Sequence, residues 1–174
     1  MPPAGFDLRG LYRALDEARQ SRKLSWAAAT REINRDQATG HPLATSSITG
    51  LAHKSVAEGD GVLQMLLWLG RTPESFIPGS LDAAAERYRL EHVAPSEILR
   101  WDSSALHAAL DARRRERGMT WTEVARELRG YTPAILANLA EGGRVGFPGV
   151  MRLVGWLDQP AASFTRVLDR GRRA

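Results

Sequence analysis

The chain has 174 residues, 43% hydrophobic and 25% charged, which fits an ordinary globular protein and excludes wholesale disorder. It carries 24 Lys+Arg against 20 Asp+Glu, a net charge of +4, and Lys23 and Lys54 are its only lysines. It has no Cys, and His41, His53, His92 and His107 are scattered, so neither a disulfide framework nor a metal or cofactor site is expected.

No apolar run approaches the roughly 18 residues of a membrane span. The start, MPPAGFDLRG, lacks the basic and apolar regions of a secretory signal. The expectation is a cytoplasmic chain with no membrane partner. The preference for Arg suits phosphate and guanine, which its planar fork binds well. A GC-rich coding sequence produces the same bias, so charge alone points only weakly to nucleic acid.

Alternating β-branched runs are absent, and helical spacing recurs throughout, so the expected fold is all-α with no sheet. Leu11, Ala14, Leu15 and Ala18 lie on one face of a first helix, about Asp7–Arg22. Ser25 is a candidate N-cap for a second, about Trp26–Ile33. The stretch Asn34–Pro42, NRDQATGHP, is rich in turn formers. Thr45 then caps a third helix, about Ser46–His53. A fourth starts at Gly61 with Val62, Met65, Leu66 and Leu69 on one face, and a short fifth returns Phe76 to the bundle. Between Pro78 and Arg100 the composition predicts an amphipathic helix over Leu81–His92, ended by Pro95; a partly ordered linker is the alternative.

The same elements then recur. Leu11–Ile33, LYRALDEARQSRKLSWAAATREI, matches Leu106–Leu128, LHAALDARRRERGMTWTEVAREL, at an offset of 95. The pairs include Leu15/Leu110, Asp16/Asp111, Arg19/Arg114, Arg22/Arg117, Trp26/Trp121 and Glu32/Glu127. A second run, including Leu51/Leu139, Gly61/Gly149, Trp68/Trp156 and Phe76/Phe164, has an offset of 88. The difference, 95 − 88, places seven extra residues in the first copy, near Asn34–Pro42. Each copy has about 70 residues, marginal for a lone core, so the two are expected to pack on each other. In the second copy Thr120 and Thr132 are the candidate caps, Pro133–Glu141 the third helix, and Val150, Leu153, Val154 and Leu157 the face of the fourth. The expected organisation is 1–78 and 101–168 as two five-helix units, 79–100 as a partly helical linker and 169–174 as a basic tail.

Several residues carry a resemblance: LxxALDxxR in helix 1, a (Leu/Met)-(Ser/Thr)-Trp entry to helix 2, a capped third helix ending in Leu-Ala, and a fourth ending in Trp-Leu. On these, each copy resembles the λ-repressor/Cro-like, or XRE-type, helix-turn-helix regulators. The resemblance implies tandem DNA-binding units of bacterial type, in which the second helix crosses the DNA backbone and the third enters the major groove. It transfers DNA contact to Ser25, Trp26, Thr45, Ser46, Ser47, Thr49, Gly50, His53 and Lys54 of the first copy. In the second it transfers contact to Thr120, Trp121, Thr132, Ala134, Leu136, Ala137, Asn138 and Arg144. Small hydroxyls can bond phosphates or base edges, Asn138 can read adenine, and Arg144 can hold phosphate or guanine.

For several of these a plainer reading stands beside the DNA one. Trp26 and Trp121 suit packing as well as a groove wall. The shared Arg19/Arg114 and Glu32/Glu127 suit a brace between helix 1 and helix 2. The run Arg113–Arg117, RRRER, suits a solvated face as well as phosphate contact. The third helix PAILANLA is apolar for a base reader and could bury itself against another surface. No GxxxxGK(S/T) loop, HExxH pair or Cys nucleophile is present, so no enzyme activity is expected. The leading expectation is a sequence-specific double-stranded DNA-binding protein, a bacterial transcriptional regulator of unequal half-sites; the alternative is a protein–protein module, an antitoxin or adaptor, with a homodimer or another protein as partner.

Overall fold

The computed structural model describes residues 5–35, 42–80 and 82–169. Helix α1 (Leu8–Ser21) starts where the Asp7 carboxylate accepts the Gly10 N–H at 2.8 Å, and it buries Leu8, Leu11 and Leu15. Helix α2 (Trp26–Arg35) is capped by Ser25, whose Oγ accepts the Ala28 N–H at 3.1 Å. Helices α3 (Thr45–Thr49) and α4 (Gly59–Leu69) complete the first copy. The second copy repeats the order: α5 (Ser103–Glu116), α6 (Trp121–Glu127), α7 (Pro133–Asn138) and α8 (Gly149–Leu157).

Each copy ends in a 3-10 turn, Pro73–Phe76 or Ala161–Phe164, at the place of the expected fifth helix. These turns bury Phe76 and Phe164 and tie each copy's end to its start. The Asp7 N–H donates to the Phe76 carbonyl at 2.8 Å, and the Asp102 N–H to that of Phe164 at 2.7 Å.

The all-α expectation is overturned by two small antiparallel sheets, which make the fold mixed α/β. Strand β1 (Ala57–Glu58) pairs with β3 (Gly146–Phe147), and β2 (Glu97–Trp101) pairs with β4 (Thr165–Asp169). Strand β2 lies largely in the segment read as linker, and β4 reaches into the expected tail. Ile98, Leu99 and Trp101 bury β2 against the body, so its backbone needs partners, and β4 supplies them. Five residues are too few for period-two alternation to stand out.

The expected linker helix is not formed over its described residues, which hold only a 3-10 turn at Glu86–Tyr88; Leu81 lies outside them. Tertiary contacts override the segment's helix propensity. Asp82 takes a left-handed backbone with φ 56°, Thr72 Oγ1 donates to the Ala83 carbonyl at 2.7 Å, and Leu90 is buried. With this strap beside it, α4 is buried from Gly61 through Leu66.

The copies share one continuous core. Glu58 and Gly146, equivalent at the 88-residue offset, face each other across β1 and β3. Antiparallel pairing of equivalent residues sets a local two-fold between the copies. Two unequal contacts flank it. Phe6 packs on Phe147 with ring centroids 4.5 Å apart. At the equivalent place Trp101 meets Gly59, where an added Cβ would lie 2.9 Å from the indole and 2.5 Å from the Val145 carbonyl. A large residue thus opposes a glycine on one side of the axis, and two phenylalanines meet on the other.

Candidate nucleic-acid interface

Apart from Leu136, which is buried, and Arg144, which lies beyond α7, the expected DNA-contacting residues fall on two surfaces, one per copy, each made by the start of the second helix and the outer side of the third. The first copy's insertion does not separate its two helices. Asn34 closes it at both ends of one amide: Nδ2 donates to the Leu43 carbonyl and Oδ1 accepts the Leu43 N–H, each at 2.8 Å. Residues 36–41, His41 included, lie outside the described residues.

Alignment of the third helices follows the 88-residue offset throughout. The N-cap of α3 is Ala44, equivalent to Thr132, and Ala44 offers no side-chain bond. Thr45 is therefore the first helical residue and not the cap. Its carbonyl accepts the Thr49 hydroxyl at 3.2 Å. Thr132 caps α7 as expected, accepting the Ile135 N–H at 3.2 Å, with Pro133 in the first turn. Ile48 and Leu51 anchor α3 in the core, and Leu136 and Leu139 anchor α7.

That register removes Leu136 from the DNA-contacting set, because its side chain has 0% exposure. Ile135, which the sequence reading passed over, faces outward at 45% exposure, beside exposed Ala134, Ala137 and Asn138. The signal was available in the sequence: Ile48/Leu136 and Leu51/Leu139 share the offset and the i, i+3 spacing of a buried face.

The first copy's surface is polar. Ser46, His53 and Lys54 are exposed, and Ser47, Thr49 and Gly50 are half-buried. The Lys54 side chain lies back along α3, where a Cβ on Gly50 would meet its Cε at 3.0 Å. Ser25 is exposed at the start of α2, and its hydroxyl proton has no acceptor among the described residues. The first turn of α2 contains no acid.

The second copy's surface differs at each of these points. Thr120 caps α6 in a box with Glu123, whose Oε2 accepts the Thr120 N–H at 2.7 Å and hydroxyl at 2.8 Å. Those two donors hold the Glu123 carboxyl below the usual carboxylate range. A charged carboxylate therefore stands where the first copy has free donors. Beyond α7, at the end of the 3-10 turn Leu139–Glu141, Glu141 occupies the place of His53, and Gly142 that of Lys54. Arg144 is exposed beyond it, equivalent to Val56.

The tryptophans pack in both copies. Trp26 is half-buried, stacked on Tyr12 with centroids 5.5 Å apart and covered by the Arg19 guanidinium at 4.6 Å. Trp121 is held alike by His107 at 5.2 Å and Arg114 at 5.0 Å. Arg19 and Arg114 each pair with an acid in their own helix, Asp16 or Asp111, at 2.6 Å. The brace from first to second helix is made by Arg22 to Glu32 at 3.6 Å and Arg117 to Glu127 at 2.8 Å. Trp68 and Trp156 donate their indole N–H groups to the same glutamates at 3.1 and 2.7 Å. Within RRRER, Arg114, Arg115 and Arg117 are all committed to internal acids.

Among the described residues no cluster of His, Asp and Glu could hold a metal, and no helix is long and apolar enough to cross a membrane. Comparison of the chain with protein families, with curated proteins and with solved structures finds no match.

Proposed function

We propose that the chain is a sequence-specific double-stranded DNA-binding protein of bacterial type, a transcriptional regulator whose first copy reads the bases. The observation that supports this best is the polar outer side of α3 beside an acid-free, hydroxyl-bearing start of α2. Ser25 can donate to a phosphate, and Ser46, Ser47, Thr49 and His53 can reach base edges, with Lys54 adding charge. The local two-fold between the copies agrees with two half-sites on one duplex.

Binding of the full chain to duplex DNA at low and moderate salt tests the reading. Affinity that falls steeply with salt supports it, because counterion release drives phosphate contact. Lys54→Ala should reduce the salt slope by about one unit. Absence of binding even at low salt would remove it. The outward Ala134, Ile135 and Ala137, with Glu141 at the helix end, favour a second reading, a protein–protein contact through α7.

A further inference from the structure

Arg100 and Arg166 are directly opposite each other in the β2–β4 ladder. Like charges so placed repel, and a stable ribbon needs something between them. Asp60 supplies part of it: it lies 3.6 Å from the Arg100 Nε, and its other oxygen accepts the Trp101 N–H at 2.9 Å. Glu58, close by, is committed to capping α4 through the Asp60 and Gly61 N–H groups at 3.1 and 2.8 Å. The Arg100 Nη1 is buried with no partner. The side chains of Arg144 and Arg166 make no hydrogen bond or ion pair among the described residues, although the charge of Arg144 reaches Asp60.

These groups line one cleft of about 260 Å³ at the seam of the two copies, with Trp101 and Ser103 in its wall. Three cations face two carboxylates already engaged by backbone N–H groups. The unmet demand is for an anion with several acceptor oxygens, which matches the fork geometry of guanidinium groups.

We propose that this cleft binds a phosphoryl anion through Arg100, Arg144 and Arg166, supplied either by the duplex backbone or by a small phosphorylated molecule. The duplex source rests on the DNA-binding reading, and the small-molecule source does not. Arg100 lies on β2, Arg166 on β4 and Arg144 just before β3, so none of the three is on α3 or α7. Arg100 holds Asp60, whereas Arg144 and Arg166 are exposed, so the R144A/R166A double variant removes the cleft's free cations without opening the core.

The test uses the full chain, inorganic phosphate and a random-sequence duplex. Phosphate should raise the thermal midpoint of the wild type saturably, while chloride at equal ionic strength does not. The double variant should fold, lose that shift, and lower the salt slope of duplex binding by about two units. Loss of the phosphate shift alone assigns the site to a small ligand, and loss of slope alone assigns it to the duplex. A wild type that binds phosphate but no duplex sinks the DNA reading and leaves the site standing. A double variant with unchanged phosphate shift and unchanged slope overturns the proposal, as does a wild type that responds to neither probe.

Discussion

The third helices α3 and α7 hang from the same anchors and present opposite chemistry. Ile48 and Leu51 fix one, and Leu136 and Leu139 fix the other, all within 2% exposure. Outward from those anchors, Ser46, Ser47, Thr49 and His53 stand where α7 and the turn after it have Ala134, Ile135, Ala137 and Glu141. The copies thus keep what the core and the helix braces require. They have diverged on the surface, where packing imposes no constraint. On the proposed DNA-binding reading, the difference favours α3 as the base reader: hydroxyls and a histidine suit that role better than methyl groups followed by a carboxylate.

The largest effects should come from the anchors. Ile48→Ala and Leu136→Ala should each cost about 2–5 kcal/mol in urea unfolding, whereas Ile135→Ala, one residue along, should stay within about 0.5 kcal/mol. Equal costs for Leu136 and Ile135 would break the shared register. Next in size is readout. Ser46→Ala or Ser47→Ala should relax discrimination between duplexes by about 1–3 kcal/mol in competition binding. Ala134→Ser, the reverse change on α7, should leave that discrimination unaltered.

The caps sharpen the comparison further. Thr132→Ala should destabilise by about 1 kcal/mol, and Ala44→Ser should stabilise by about 0.5–1 kcal/mol, because α3 lacks the bond that Thr132 provides. Opposite signs in denaturant midpoints are the expected result. The smallest effect concerns acid. Arg117, then the Trp156 N–H, holds the Glu127 carboxyl below its ordinary 4.5. Its folded state therefore binds protons less readily than its unfolded state. That stabilisation is complete above the unfolded value and lost as pH falls through the folded one. Glu127→Gln should flatten this part of the pH–stability profile.

Much of this was legible in the sequence because it is local. Apolar spacing found α1, α4 and α8, the internal repeat found α5, and the duplicated Trp, Arg and Glu marked the braces. What escaped depends on distant partners. Glu97–Trp101 becomes a strand only because Thr165–Asp169 lies beside it, and residues 82–92, the described part of the expected linker helix, are held out of a helix by contacts with Thr72 and the core. Pairing Thr45 with Thr132 by residue type hid the register that Ile48/Leu136 carried. The Arg100–Arg166 cleft could not be read at all, since its residues meet only through the ladder and the seam between the copies.

Selection of bound duplexes from a random library, with complex stoichiometry, tests the central claim most directly. One chain on an asymmetric site is predicted, with contacts spaced about one helical turn, roughly 10 bp. The half facing α3 should be the better defined, and Ser46→Ala should degrade that half alone. No enriched sequence, or a perfect palindrome bound by two chains with its readout altered by α7 substitutions and not by Ser46→Ala, would contradict it.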